Sequence, residues 1–271
     1  MENSLLWGSY VLLGLFAGGL AGLLGVGGGL VIVPVLSLLF VWQGIDPASV
    51  MQLAIGTSLA TIVFTSLSSV YAHQRRGAVD WSTMLQLTAG IVPGAWSGGA
   101  LAAWLGGPLL AMLFGLFEIM VAVQMLLGRA PSAQRRFPGA SRNVLAGLGI
   151  GTVSSVLGIG GGTLTVPWLV WHNVDVRRAV ATSAACGLPI AVAGALGFLV
   201  AGLNQPGLPA GSTGYLYWPV VVAVSAASVL SAPLGARLAH RIERHRLKAV
   251  FGVFIGLLGF VMLAKSLAWL F

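Results

Sequence analysis

Long apolar stretches alternate with short polar ones along the whole chain, and the polar ones hold nearly all of the charge. The apolar stretches fall into two sets of five. The first set covers roughly 5–24, 30–42, 48–72, 82–104 and 108–128, and the second roughly 143–158, 163–172, 179–202, 215–239 and 248–270. Several exceed the ~18 residues that cross a bilayer's hydrocarbon core as a helix. They lack the short period-two segments that mark a membrane β-barrel. The pattern predicts an all-α polytopic membrane protein with one transmembrane domain over 1–271. Repeat one occupies 1–128, an exposed linker rich in Arg, Pro, Ser and Gln occupies 129–142, and repeat two occupies 143–271.

The repeat is written in the residues themselves. Leu24-Gly25-Val26-Gly27-Gly28-Gly29 is followed by Pro34, and Leu157-Gly158-Ile159-Gly160-Gly161-Gly162 is followed at the same distance by Pro167. Ala54-Ile55-Gly56-Thr57-Ser58-Leu59 corresponds to Ala179-Val180-Ala181-Thr182-Ser183-Ala184, and Phe114-Gly115-Leu116-Phe117 to Phe251-Gly252-Val253-Phe254. The segments opened by the glycines are short. A helix over 30–42 measures roughly 20 Å, against roughly 30 Å of hydrocarbon. Both are expected to be broken or re-entrant half-helices, which are tolerable at membrane depth only when buried in protein or lining a polar cavity.

Composition sharpens the class. Of 271 residues, 57% are hydrophobic and 7% charged, against about a quarter charged in soluble domains. The net charge of +8 raises nucleic-acid binding, but the basic residues sit in short clusters between apolar runs, so no nucleic acid partner is expected. The expected neighbours are the lipid bilayer, a small anionic substrate and further copies of the chain in a homo-oligomer. Placing the clusters around Arg75, Arg129–Arg142, Arg177 and Arg237–Lys248 in the cytoplasm puts thirteen of the fourteen Lys and Arg on one side, with only Lys265 opposite. The amino terminus then lies outside. With an odd number of segments per half, the two repeats become inverted in the membrane.

Paired breaks in apolar helices are the best pointer to a transporter's binding site. A broken helix exposes backbone N–H groups and a partial positive charge at the start of its second half. Gly27, Gly28 and Gly29, with Gly160, Gly161 and Gly162, would let an anion approach those groups without a buried cation. Thr57, Ser58, Thr182 and Ser183, and Thr163 after the second triple glycine, could add hydroxyl donors. The alternatives are close helix packing for the glycines and back-bonding to a helix carbonyl for the hydroxyls. Gly14, Gly18 and Gly22 read as packing glycines. Glu118 stands mid-way along an apolar segment, where its repeat counterpart is Ile255. It is either a neutral acid bonded to a neighbouring helix or a proton-coupling group.

Other chemistry is poorly represented. Neither glycine phrase is a nucleotide loop: Leu30 replaces the third glycine of G-x-G-x-x-G, and no Lys-Ser/Thr follows. His172, His240 and His245 lack metal-ligand spacing, and one cysteine, Cys186, precludes an internal disulfide. No metal, cofactor or catalytic residue is expected. A serine hydrolase would need a Gly-x-Ser-x-Gly phrase, which is missing. Asp46-Pro47 and Asp175 read as helix caps.

These residues resemble the TauE/SafE sulfite exporter-like family of bacterial membrane permeases. The resemblance rests on the paired Leu-Gly-x-Gly-Gly-Gly phrases with Pro34 and Pro167, and on the Thr-Ser positions. It also rests on His73…Gly77-Ala78-Val79-Asp80-Trp81 and Pro233-Leu234-Gly235-Ala236-Arg237-Leu238. It extends over essentially the whole chain. It implies export of sulfite, or of organosulfur anions such as sulfoacetate, across a bacterial cytoplasmic (inner) membrane. An anion channel, or a carrier of another small organic acid, is the alternative.

Overall fold

In the computed structural model, which describes residues 2–24, 28–128, 138–238 and 244–270, every apolar stretch is a helix. The first five are α1 (Glu2–Leu24), α2 (Gly29–Trp42), α3 (Pro47–Gln74), α4 (Trp81–Trp104) and α5 (Gly107–Leu127). The second five are α6 (Ala140–Leu157), α7 (Gly162–Trp171), α8 (Val176–Ala201), α9 (Trp218–Leu238) and α10 (Arg244–Leu270). Six of them, α1, α3, α5, α8, α9 and α10, are long and apolar enough to cross a membrane. With α4 and α6 of 24 and 18 residues packed beside them, the chain is an all-α polytopic membrane protein.

The starts follow local chemistry. Asp46 accepts from the Ala48 N–H at 3.0 Å, with Pro47 in the first turn. Asp175 accepts from the Arg177 N–H at 2.9 Å, so α8 begins at Val176, ahead of its apolar run. Asp80 caps α4 through the Thr83 N–H at 3.1 Å. Each supplies a side-chain acceptor to an orphaned helix donor.

Apart from α1, α8 and α10, which start three or four residues ahead of their apolar stretches, two boundaries differ from expectation. Residues 215–217, read as the start of the ninth helix, belong instead to a short antiparallel hairpin, β1 (Ser212–Thr213) with β2 (Leu216–Tyr217). Gly211 and Gly214 turn the chain there at φ +88 and +54, and the Tyr215 N–H bonds to the Phe198 carbonyl at 3.3 Å. The second difference is at 140–142, read as linker, which forms the first turn of α6. The rest of that linker, 129–137, lies outside the described residues.

Close contacts set the relative directions of the helices. Gly14 and Gly18 of α1 press on Val224 and Ser228 of α9, so these two run parallel. Gly90, Gly94 and Gly98 of α4 press on Val144, Leu148 and Thr152 of α6, again parallel. In contrast, α3 meets α8 through Gly56 with Phe198, Leu59 with Gly194 and Ser66 with Gly187, which is antiparallel. So is α5 with α10, through Gly115 with Gly259, Ala122 with Gly256 and Leu126 with Gly252. Exchanging the halves turns the α1–α9 contact into α6–α4 and maps the other two pairs onto themselves. Because the counterparts α3 and α8, and α5 and α10, point oppositely, the repeats are inverted.

The two short helices fold back on the helices before them. The Gln43 side-chain amide, just past α2, donates to the Tyr10 hydroxyl of α1. On α7, the Trp168 indole N–H donates to Asn143 Oδ1 of α6 at 3.3 Å. Each therefore starts within the protein and returns toward the face its predecessor came from. α3 lies at the centre, buried from Ser49 through Ile62, with α8 against it.

Candidate functional site: the junction of the two glycine breaks

In repeat two the break is fully described. α6 ends at Leu157, and Gly158 adopts the left-handed conformation at φ +67. Its N–H reaches the Ser155 carbonyl at 3.2 Å, and the Ile159 N–H reaches that of Ser154 at 3.0 Å, as at many helix ends closed by glycine. Gly160 and Gly161 follow, both buried, and α7 opens at Gly162. Among the described residues no acceptor takes the N–H groups of Gly160, Gly161, Gly162 or Thr163. In repeat one, Gly27 lies outside the described residues; Gly28 caps α2, its carbonyl accepting from Val31 and Ile32 at 3.0 and 2.9 Å.

The breaks touch. A Cβ on Gly29 would stand 2.5 Å from the Gly158 carbonyl oxygen and 2.8 Å from the Ile159 Cα. One on Gly158 would stand 2.9 Å from Val33 Cγ2 and 3.1 Å from Ile55 Cα. Repeat one thus holds the second break with α2 on one side and α3 on the other. Gly161 in turn lies against α8, where a Cβ would come 3.0 Å from the Ser183 carbonyl and 3.2 Å from the Gly187 nitrogen. Gly28 itself faces Ala17 of α1 and Ile32.

The hydroxyls divide into two groups. Ser58 Oγ donates to the Gly158 carbonyl at 2.9 Å. Thr57 Oγ1 accepts from the Tyr217 N–H at 3.1 Å, and Thr182 Oγ1 from the Asp80 N–H at 3.0 Å. These three have protein partners. Ser183 Oγ and Thr163 Oγ1 are buried without one among the described residues. So are Ser154, Ser155 and Thr165 beside the same break, which sequence reasoning passed over. Aligning the halves would have exposed them, because they stand where repeat one has Ala21, Gly22 and Ile32.

Glu118 is fully buried, with neither carboxylate oxygen bonded among the described residues. It lies at the α5–α10 contact, where a Cβ on Gly259 would come 2.9 Å from its own Cβ. No described hydrogen bond joins it to the glycine breaks. Cys186 is buried in α8 as a free thiol. Among the described residues, no three of His, Cys, Asp and Glu gather to hold a metal ion.

Chemically, the junction holds donors that the protein leaves unpaired: among the described residues, amide N–H groups at the start of α7 and hydroxyls of α6, α7 and α8 near the break lack partners. Such a set solvates an anion's oxygens in place of water.

Known proteins are similar to this chain in sequence. The family model described as "Sulfite exporter TauE/SafE" matches residues 10–262. A Haemophilus influenzae protein described as a probable membrane transporter is 33% identical over 256 residues, 94% of this chain and 97% of that protein. Probable membrane transporter proteins of Methanocaldococcus jannaschii and Bacillus subtilis are 27% and 26% identical, covering 93% and 92% of this chain and 94% of each relative. With matches this extensive, the chain belongs to the TauE/SafE sulfite exporter family.

Proposed function

We propose that this protein carries a small oxyanion, sulfite or a related organosulfur anion, out of a bacterial cell by alternating access around the glycine junction. The observation that carries this reading is the meeting of two inverted, broken helices beside buried donors that lack partners. The amide groups of Gly160, Gly161 and Gly162, with Thr163 and Ser183, are the anion's contacts on the repeat-two side. Gly28 and Gly29 bring the α2 amino terminus to the same place. Ser58 acts as a strut that holds the second break through its carbonyl. Inverted repeats supply two equivalent ways of opening the junction, one toward each face.

The amino terminus lies outside, so the faces bearing Pro47 and Trp218 are outer and those bearing Arg75 and Arg177 are inner. The membrane is the bacterial cytoplasmic one. Flux in proteoliposomes, measured with sulfite, sulfate, thiosulfate and alkyl sulfonates at two pH values, tests the reading. Saturable flux of a sulfur oxyanion supports it. Non-saturating conductance would indicate a channel, and no flux of any of these anions would overturn the substrate class.

A further inference from the structure

Each Thr-Ser pair joins three parts of the molecule, and it does so twice. Just before α9, the strap Tyr215–Tyr217 lies on α3: the Tyr215 carbonyl packs on Gly56 and the Tyr217 N–H bonds to Thr57. Just before α4, Val79 packs against Ala181 and Ala185 of α8, and the Asp80 N–H bonds to Thr182. Trp218 and Trp81 then open the corresponding helices. Each strap therefore crosses from its own repeat to the central helix of the other. The neighbouring serines sit at the glycine junction, Ser58 donating to the Gly158 carbonyl and Ser183 with its backbone carbonyl against Gly161.

The two straps lie near opposite ends of the α3–α8 pair. Since Ser66 meets Gly187 and Gly56 meets Phe198, Thr182 falls level with the far end of α3 from Thr57, roughly 20 Å away at 1.5 Å per residue. The strap at Thr57 is further held by Tyr217 against Phe40, rings 6.0 Å apart, and by Tyr215 against Phe198 at 6.4 Å. The strap at Thr182 adds an ion pair, Arg178 to Asp80 at 3.7 Å.

We infer that Thr57 and Thr182 are positioning residues, the latches of an outer and an inner gate, rather than substrate contacts. Building on the alternating-access reading, release of the Tyr217 N–H from Thr57 opens the junction outward, and release of the Asp80 N–H from Thr182 opens it inward. Adjacent serines on the same helices couple each latch to the glycine breaks. A hydroxyl acceptor suits this task, because its loss leaves a strap N–H unpaired in the closed state and biases that gate open.

The experiment uses accessibility and so needs no identified substrate. In a Cys186→Ser background, Ile55→Cys, beside Gly158, reports the outer route, and Ser66→Cys, beside Gly187, reports the inner one. Both positions are buried in the closed form. Thr57→Val should raise labelling of the Ile55 reporter by an impermeant maleimide from outside by roughly tenfold and lower that of the Ser66 reporter from inside. Thr182→Val should do the reverse. Thr57→Ser, which restores the hydroxyl, should return labelling to the parental level. Arg178→Gln, at an exposed side chain, and Tyr215→Leu loosen the same straps and should give the same opposed pair of changes. Labelling that rises at both reporters together, or at neither, overturns the latches. Opposed labelling changes in a protein that moves no anion would leave the gates standing and remove the transport reading.

Discussion

At the residue scale, substitution separates the positions of the junction that carry structure from those proposed to contact the anion. Gly158 holds a left-handed backbone with Val33 and Ile55 against it. Gly158→Ala therefore adds backbone strain of about 1–2 kcal/mol and overpacking of about 1–3 kcal/mol, and the thermal midpoint in detergent should fall by several degrees. Gly149→Ala, in the interior of α6 with open space around it, should not lower the midpoint. Ser58→Ala frees the Gly158 carbonyl and should also lower stability, by about 1–3 kcal/mol. Ser183→Ala removes no bond within the protein, so its effect should appear in transport alone. The doubled glycines and Thr-Ser pairs are legible in the sequence, because repetition marks them. The split of those hydroxyls into struts, latches and free donors is not, since it depends on which backbone groups arrive from a hundred to a hundred and sixty residues away.

At the element scale, glycine lets helices of opposite repeats approach to backbone contact. Gly90, Gly94, Gly98, Gly147 and Gly151 interlock α4 with α6, so Gly94→Leu should prevent a stable fold, read as loss of a monodisperse peak in detergent. The expectation that Gly14 and Gly18 are packing residues is met against α9. Helix positions are legible because uninterrupted apolar runs have few other solutions in a bilayer. The start of α9 is not, because Tyr215, Leu216 and Tyr217 are as apolar as a helix interior, while the Gly211 and Gly214 turns that make them a hairpin are local backbone events. Glu118 belongs to this scale as well, since it is the buried acid of the α5–α10 contact and has only Ile255 as counterpart. If it exchanges protons during the cycle, Glu118→Gln should remove the pH dependence of flux, whereas an unchanged profile makes it structural.

At the scale of the whole molecule, duplication and charge together imply the inversion of the repeats. The threading that places thirteen of fourteen cations on one face requires α1 parallel to α9, α4 parallel to α6, and α3 and α5 antiparallel to α8 and α10. All four relations are found. An asymmetry is laid over that symmetry: among the described residues the unpartnered hydroxyls lie in repeat two, with Ala21, Gly22, Leu30 and Ile32 standing opposite Ser154, Ser155, Thr163 and Thr165, and the bonded Ser58 opposite Ser183. The account therefore puts the anion on the repeat-two side of the junction, held by Ser183 and the start of α7. The most direct test compares flux of the best-carried sulfur oxyanion by wild type and by Ser183→Ala in proteoliposomes. A lost charge-assisted hydrogen bond is worth about 1.5–3 kcal/mol, so the KM should rise roughly tenfold to a hundredfold with the thermal midpoint unchanged. An unchanged KM with full flux would contradict the site.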